Sequence, residues 1–491
     1  MSAPPQPGEL RPPPQSPHDS SSPPAPHSPH APGPPRELAL AAAIDARPLG
    51  AFQLRVALLC ALALILDSFD SSAVGFVAPR LSELWHLPPG ALGPVFAWGF
   101  CGQLLGAVIA GPIADRIGRK AVLIAGVIEF ALGALATTRA DSLGSLLVLR
   151  LITGLGLGAA APNALALVTE ISPASRRSFL LSLALCGMAL GAATAGIVAA
   201  RLLPLYGWTS LFQVGGVLPL ALTPLLVWLL PESPYYLALA GNRDAAIAAI
   251  VRKINPAVPH DSHFVLHEAR TTGLSVQHLF RDGRTLTTIL LWIVVFMNNF
   301  LIYVFASWLP SLARASGLTE QASVMSGVAM NVGGLAGTLT IGWLLNRARI
   351  ERLMSINYAA AAACIGLLAL VAGHRTPMGL VAAAAGFCIV GGQMGANALL
   401  AYRHPTSLRA TALSFGLAIG RVASIVGPLG AGWIIAVGWS TRTTFLLAVI
   451  PALCASVAVY YLGRHAVYSP ISFPGGRNGE QVNRKNHHGR T

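Results

Sequence analysis

The chain has 491 residues, of which 54% are hydrophobic and only 11% are charged. A soluble protein of this length carries roughly twice that share of charged residues, so the surplus of apolar residues indicates a polytopic membrane protein. The formal net charge of +14 does not indicate nucleic-acid binding, because the arginines lie singly or in small groups between apolar segments.

The first 48 residues are rich in proline, serine and histidine and show no apolar periodicity. A segment of this composition cannot bury enough apolar surface to fold, so residues 1–48 are predicted to be a disordered cytoplasmic tail. The tail has no short apolar region before a small-residue cleavage site, so it is not read as a secretory signal.

The first apolar segment, residues 56–79, carries Asp67 and Asp70 near its middle. A carboxylate at the centre of a membrane helix costs at least about 2.5 kcal/mol. The two acids are three residues apart, so they share one helical face and can turn together toward the protein interior. We therefore predict a proton site of a transporter here, with a structural pair held by hydrogen bonds or a salt bridge as the alternative.

Twelve apolar segments follow one another, and each approaches the roughly 20 residues that a membrane helix needs. Their approximate limits are 56–79, 91–113, 121–138, 143–169, 178–202, 209–230, 286–310, 321–345, 353–372, 377–400, 410–437 and 443–462. The predicted domains are a six-helix bundle at 49–231, a cytoplasmic central loop at 232–285, a second six-helix bundle at 286–465 and a disordered cytoplasmic tail at 466–491.

Lysine and arginine are concentrated in every second connection. The connection after the second segment carries Arg116, Arg119 and Lys120, and the long connection after the sixth is also basic. The alternate connections carry one arginine each. The positive-inside rule therefore places both termini in the cytoplasm.

The two halves repeat in the same direction. The sequence GPIADRIGRK from Gly111 has a weaker echo in GWLLNRARIE from Gly342, and the spacing of Pro173 to Arg177 recurs in Pro405 to Arg409. Parallel six-helix repeats are a transporter plan in which the substrate binds near the membrane midplane between the halves.

These motifs resemble those of the major facilitator superfamily. The matching residues are Gly111, Asp115, Arg116, Gly118, Arg119 and Lys120 after the second segment, Arg150 with Gly154, Gly156 and Gly158 in the fourth, Glu170, Pro173 and Arg177 after it, and PESP from Pro231. The resemblance covers roughly residues 50–465. It implies an all-α membrane protein with twelve transmembrane helices in two parallel six-helix halves.

Within that superfamily the chain looks like the aromatic acid/proton symporters. The lines that carry this resemblance are DSFDSSAVGFVAPRL, TGLGLGAAAPNALALVTEISP, YVFASWLP and RATALSFGLAIGRVASIVGP. Ser68 and Ser71 replace Gly and Thr of the family's D-G-F-D-T, and Asn346 replaces an Asp of the second signature loop. The resemblance implies import of small carboxylates with protons by alternating access, most of all aromatic acids such as benzoate or hydroxybenzoate.

Arg150 lies inside the fourth segment and requires a counter-charge, for which Asp67 and Asp70 are both candidates. Sugar porters of the same superfamily pair an acid on the first helix with an arginine on the fourth, and the resemblance implies the same pairing here. Two nearby carboxylates disfavour joint ionisation, so the acid pair is expected to titrate as a unit. Protonation would release Arg150 and permit rocking, whereas a purely structural salt bridge is the alternative.

Arg421, near the middle of the eleventh segment, can bind a substrate carboxylate in bidentate fashion. The alternative is an arginine satisfied by helix carbonyls. Further candidates for the substrate site are Asn163, Asn298, Asn331, Asn397 and Tyr303, although the amides serve equally well as polar contacts between helices. Trp308 is assigned to the interfacial aromatic belt.

A network of ions at the cytoplasmic ends of the helices is expected to latch one conformational state. Its predicted members are Asp115, Arg116, Arg119, Glu170, Arg177, Glu232 and Arg409. Glu129 and the pair Arg403–His404 have no role that the sequence suggests.

No metal-ligand cluster, no cofactor motif and no nucleophile with its base is recognisable, so the chain is not expected to be an enzyme. The expected partners are a small carboxylate, protons and the lipid bilayer of a bacterial inner membrane, and the protein is expected to be a monomer. The alternatives are a transporter of another organic acid, a sugar-like metabolite or a drug, or a sensor that does not transport. Import is favoured because the fifth segment lacks the proline of the exporter pattern G-P-x-x-x-G.

Overall fold

The computed structural model describes residues 36–241, 243–259, 262–265, 276–281, 283–345 and 347–464. The predictions for residues 1–35, for the tail at 466–491 and for Asn346 lie outside these residues. The described chain begins with a strand, β1 (Arg36–Ala39), and a short helix, α1 (Leu40–Asp45).

Twelve spans in the described part of the chain are long and apolar enough to cross a membrane, as the sequence predicts. The first six are α2 (Ala51–Leu84), α3 (Gly93–Ile117), α4 (Arg119–Thr137), α5 (Leu143–Ile171), α6 (Arg177–Tyr206) and α7 (Thr209–Leu229). The connection to the second half contains α8 (Pro234–Leu239), α9 (Asp244–Ile254), β2 (Ser262–Val265) and a 3₁₀ turn (Val276–Phe280). The second six spans are α10 (Thr285–Ala315), α11 (Glu320–Leu344), α12 (Ile350–Val371), α13 (Arg375–Tyr402), α14 (Thr406–Ala436) and a last span made of α15 (Thr441–Leu447) and α16 (Val449–Arg464).

The two halves are built alike. In the first, α2 packs against α6, α3 against α5, and α4 against α7; in the second, α10 packs against α14, α11 against α13, and α12 against α16. Between the halves, α3 meets α14, α6 meets α11, and α2 meets α10. In this repeat α2 corresponds to α10, α3 to α11 and α6 to α14. Exchanging equivalent helices therefore turns the α3–α14 contact into the α11–α6 contact and leaves the α2–α10 contact unchanged, as two parallel repeats around a central axis require.

Glycines allow the helices within each half to approach closely. A Cβ atom at Gly337 on α11 would collide with the backbone carbonyl of Phe387 on α13, and one at Gly106 on α3 would collide with that of Leu155 on α5. Small residues at such crossings replace side-chain packing by backbone contact, which is a common way for helices to associate in a membrane.

The halves are sealed against each other at the end where α2 and α10 finish. Arg314 Nε lies 2.8 Å from Glu83 Oε1 across this end. Trp308 donates its indole N–H to the carbonyl of Pro428 at 3.0 Å and packs edge-on against Phe96 at 5.2 Å between ring centroids. The assignment of Trp308 to the lipid interface is therefore wrong, because its ring is 4% exposed and fills the contact between the halves.

The prediction of disorder over residues 1–48 is wrong for its last part. β1 pairs in parallel with β2 of the central connection, so that Leu38 lies opposite Phe264. On α1, Leu40 and Ile44 are buried, and Asp45 Oδ1 accepts a hydrogen bond from the backbone N–H of Ala174 at 2.7 Å. The short apolar run after the proline-rich region supplies the surface that this segment buries.

The close crossings of α11 predict opposite effects of one substitution at two positions of the same helix. Gly337→Ala should lower the free energy of unfolding by about 1–3 kcal/mol, because the added methyl group forces the backbones of α11 and α13 apart. Gly342→Ala, where no atom lies within 4 Å of the added Cβ, should be neutral or stabilising by up to about 1 kcal/mol. Thermal unfolding of the purified variants measures both, and equal melting temperatures would contradict this account of the crossing.

Candidate functional site

A buried ion pair joins α2 to α5. Arg150 Nη1 lies 3.2 Å from Asp70 Oδ2, and the two side chains are 4% and 1% exposed. The second terminal nitrogen of Arg150 donates to the hydroxyls of Thr137 at 2.5 Å and Thr153 at 3.2 Å. The sequence left both acids open as partners of Arg150, and the hydrogen bond goes to Asp70 rather than to Asp67.

A second polar connection, at mid-depth, joins the two halves. Arg421 on α14 donates from Nη1 to Gln103 Oε1 on α3 at 3.1 Å, and Gln103 Nε2 donates to Ser71 Oγ on α2 at 2.9 Å. We call Arg421, Gln103 and Ser71 the interhalf bridge. Gln103 is not among the site residues predicted from the sequence. The only feature of the sequence that marks it is an amide near the middle of an otherwise apolar segment.

Asp67 lies beside this bridge. It is 5% exposed, and its Oδ1 atom has no hydrogen-bond partner within the described ranges. The positive charge of Arg421 and the negative charge of Asp70 both act on the Asp67 carboxyl group. Asp67 and Asp70 therefore sit in different settings: Asp70 has an arginine hydrogen-bonded to it, whereas Asp67 faces an arginine that is hydrogen-bonded elsewhere.

A cavity lies beside the Asp70–Arg150 pair. Its wall includes Asp70, Arg150 and Gln103. Phe100 also lines it, and the ring of Phe100 meets that of Tyr303 on α10 at 4.7 Å between centroids and 69° between planes. A pair of aromatic rings, one from each half, thus lies next to the buried charges.

The predicted amides belong to the interior of single helices or of one half. Asn163 and Asn331 each donate to a carbonyl four residues earlier in the same helix. Asn298 donates to Gln393 at 2.6 Å, and Gln393 donates to Asn397 at 3.2 Å, so these three residues link α10 to α13. The chain from Asn298 to Asn397 corresponds to the alternative in which amides hold helices together, whereas Asn163 and Asn331 are satisfied within their own helices.

Several predicted gating residues form a network where α3 ends and α4 begins. Arg119 Nη1 lies 2.5 Å from Asp115 Oδ1, and Arg119 Nε lies 3.8 Å from Glu170 Oε1. Glu232 accepts the backbone N–H of Lys120 at 3.0 Å. The network therefore joins α3, α4 and α5 to the chain after α7 within the first half.

The other three gating candidates lie apart from this network. The side chain of Arg116 is exposed, while its backbone carbonyl accepts the hydroxyl of Tyr236 at 3.0 Å. The Nε atoms of Arg177 and Arg409 are buried without a hydrogen-bond partner in the part of the chain that the structure describes.

The second half carries a counterpart of this network with the charges exchanged. Arg403, which follows α13, lies 2.5 Å from Glu351 at the start of α12, whereas in the first half Glu170 on α5 faces Arg119 on α4. His404, next to Arg403, is 3% exposed, and burial and the nearby Arg284 lower its pKa. Arg403 thus belongs to the contact between α12 and α13, whereas His404 lies 3.4 Å from the hydroxyl of Thr288 on α10.

Comparison with known proteins gives a family and named relatives. The family model described as Major Facilitator Superfamily matches residues 60–401. The gallate transporter of Pseudomonas putida is 38% identical over 418 residues, which are 85% of this chain and 93% of the relative. The 4-hydroxybenzoate transporter PcaK of Pseudomonas aeruginosa is 36% identical over 429 residues, or 87% and 96% of the two chains. The benzoate transport protein of Acinetobacter baylyi is 30% identical over 444 residues, or 89% and 95%.

Solved structures share the fold. The inward-open xylose transporter XylE from E. coli superimposes with a TM-score of 0.67 at 17% identity, over 84% of this chain and 96% of that one. A bacterial homologue of the human lysosomal transporter Spinster, inward-facing and occupied, gives a TM-score of 0.68 at 16% identity, over 86% and 100% of the two chains.

The buried ion pair predicts strong coupling in a double-mutant cycle. Asp70→Asn and Arg150→Gln should each lower the free energy of unfolding by about 3–5 kcal/mol, because each leaves one buried charge unpaired. The double variant should be clearly more stable than the sum of the single effects predicts, since it buries no unpaired charge.

The exposed pair Glu83–Arg314 provides the matched control, because its side chains are 43% and 39% exposed. The same cycle with Glu83→Gln and Arg314→Gln should show a coupling of at most about 1 kcal/mol. Both cycles are measured by denaturant unfolding of purified protein, and additive effects at Asp70 and Arg150 would contradict a buried, energetically coupled pair.

Proposed function

The chain belongs to the major facilitator superfamily, and we propose that it is a proton-coupled importer of small aromatic carboxylates in a bacterial inner membrane. The observation that carries this proposal is the interhalf bridge beside Asp67, which places a cation and an unpaired buried acid together where the two halves meet. The names of the relatives support the substrate class, since gallate, 4-hydroxybenzoate and benzoate all have a carboxylate on an aromatic ring.

The orientation follows from the distribution of positive charge. The connections rich in arginine and lysine face the cytoplasm, and both termini lie on that side. The end where Glu83, Arg314 and Trp308 join the halves is then the outer end.

The substrate binds between the halves at Arg421. A guanidinium group can hold a carboxylate by two parallel hydrogen bonds, and such charge-assisted bonds are the strong ones in a site with little water. The rings of Phe100 and Tyr303 lie nearby, one from each half, and offer apolar surface to the substrate ring. Asn298 and Asn397 hold α10 and α13 together through Gln393, and Asn163 and Asn331 are satisfied within their own helices.

Proton coupling follows from the charge balance around Arg421. When Asp67 is ionised, the charges of its carboxylate and of Arg421 attract and balance each other. A bound substrate anion brings a second negative charge to the same arginine, and the site is balanced again when Asp67 takes up a proton. Substrate and proton therefore favour each other's binding, and this linkage is reciprocal.

Asp70 and Arg150 extend this coupling to the first half. Protonation of Asp70 removes the attraction that holds α2 to α5 and leaves Arg150 with its two threonine partners. The first half can then change its packing as it rocks against the second. Asp115, Arg119, Glu170 and Glu232, together with Arg116, Arg177 and Arg409, latch the cytoplasmic ends in one of the two states.

Uptake into proteoliposomes tests the proposed function. Radiolabelled 4-hydroxybenzoate and benzoate should accumulate when the outside is acidic, and a proton ionophore should abolish the accumulation. Asp67→Asn and Asp70→Asn should each reduce gradient-driven accumulation at least about tenfold, because the proton carrier is gone. Arg421→Gln should remove saturable uptake, because the substrate carboxylate loses its cation.

Asp141→Asn is the control for these variants, because Asp141 is an exposed acid in the connection between α4 and α5. It should transport like the unmodified protein. Uptake that ignores the proton gradient, or that survives the loss of both buried acids, would rule out the proposed mechanism.

A further inference from the structure

Gln103 occupies the place that the proposed substrate must take. Its side chain is 9% exposed and joins three helices, since it accepts from Arg421 on α14 and donates to Ser71 on α2. An amide at this depth is stable only when its polar atoms are hydrogen-bonded. A substrate carboxylate that binds Arg421 competes directly with the carbonyl oxygen of Gln103.

We propose that Gln103 is the positioning residue that links occupation of Arg421 by a substrate carboxylate to protonation of Asp67. The proposal rests on the proposed function and assigns it a residue that neither binds a proton nor carries a charge. In the empty protein, Gln103 stands in for the substrate on Arg421. In the loaded protein, Gln103 has lost its contact with Arg421 and can take a new hydrogen bond from α2.

The link depends on which groups can donate a hydrogen bond. When a substrate takes Nη1 of Arg421, the carbonyl oxygen of Gln103 loses its donor. Asp67 and Ser71 are four residues apart on α2, so Asp67 lies one turn away on the helix face that Gln103 contacts. An ionised carboxylate only accepts hydrogen bonds, whereas a protonated one has an O–H group to donate.

The protonated form of Asp67 can therefore replace Arg421 as the donor to Gln103 once the substrate is bound, whereas the ionised form cannot. A loaded site with ionised Asp67 would contain two carboxylates around one arginine and a buried carbonyl oxygen without a donor, which costs about 1–3 kcal/mol. The charged groups that act on Asp67 among the described residues are Arg421 and Asp70; in the loaded protein the substrate engages Arg421, while Asp70 bonds to Arg150.

The test is the pH dependence of substrate binding to the purified, full-length protein. With 4-hydroxybenzoate as the probe, calorimetry gives the dissociation constant between about pH 5 and about pH 8. For the unmodified protein, the dissociation constant should rise about tenfold per pH unit over the range in which Asp67 is ionised in the empty protein and protonated in the loaded one. Gln103→Leu keeps the volume but not the hydrogen bonds, so it should still bind substrate with a pH dependence at least about threefold smaller over the whole range, and the part that remains reflects the charge balance around Arg421.

Gln103→Glu is the second variant, and it keeps the size of the side chain. Its carboxylate should pair with Arg421 permanently, so substrate should bind at least about tenfold more weakly near neutral pH. The control is Gln53→Leu, because Gln53 is a buried amide of α2 that donates to the carbonyl of Ile171 within the first half. This variant should keep the full pH dependence, which separates a general loss of polar packing from the loss of the link.

The outcomes separate this inference from the proposed function. If the unmodified protein shows proton-linked binding and Gln103→Leu shows the same pH dependence, the role of Gln103 is wrong and the proposed function stands. Unchanged affinity in Gln103→Glu would equally overturn it, because Arg421 would then not be released from residue 103 on binding. If the unmodified protein binds no aromatic acid in a proton-linked way, both proposals fall together.

Discussion

The structure depends on the pairing of charges that lie far from water. Asp70 and Arg150 form one pair inside the first half, and Asp67 and Arg421 face each other where the halves meet. A charge at membrane depth is stable only with a partner, so a group that loses its partner must gain a new counter-charge or be neutralised by a proton. The Asp70–Arg150 pair joins two helices of one half, whereas Arg421 is bonded to Gln103 across the two halves.

The two halves share their packing but not their polar content. Equivalent helices make equivalent contacts in both. The first half contains the acid pair and Arg150, whereas the second contains the amide chain from Asn298 to Asn397. The repeat therefore accounts for the shared helix packing, whereas the buried polar residues differ between the two halves.

The sequence predicts the membrane spans well, because apolar length alone determines them. It also predicts that Arg150 needs an acid, but both acids share a helix face, so only the fold distinguishes Asp70 from Asp67. Gln103 was not predicted, because the local sequence around a neutral amide in an apolar segment does not indicate which residue will bond to it. Trp308 was misplaced because a tryptophan near a helix end has the same local sequence at a lipid interface and at a protein contact.

The remaining misses involve residues that are distant in sequence. The strand β1 was hidden by the proline-rich composition around it, since its partner β2 lies more than two hundred residues further along. Arg403 could not be interpreted because its acid, Glu351, lies on another helix. Pairing across such separations is set by the packing of whole helices, which local patterns do not contain.

Proton movement driven by the substrate is the most direct test of coupling between substrate and proton through Asp67 and Arg421. Proteoliposomes with an internal pH indicator and no imposed pH gradient would receive an inward gradient of 4-hydroxybenzoate. The account predicts that the interior acidifies as the substrate enters, and that Asp67→Asn exchanges labelled for unlabelled substrate without any acidification. Substrate entry without proton movement in the unmodified protein, or unchanged acidification in Asp67→Asn, would contradict the claim that Asp67 and Arg421 couple the two fluxes.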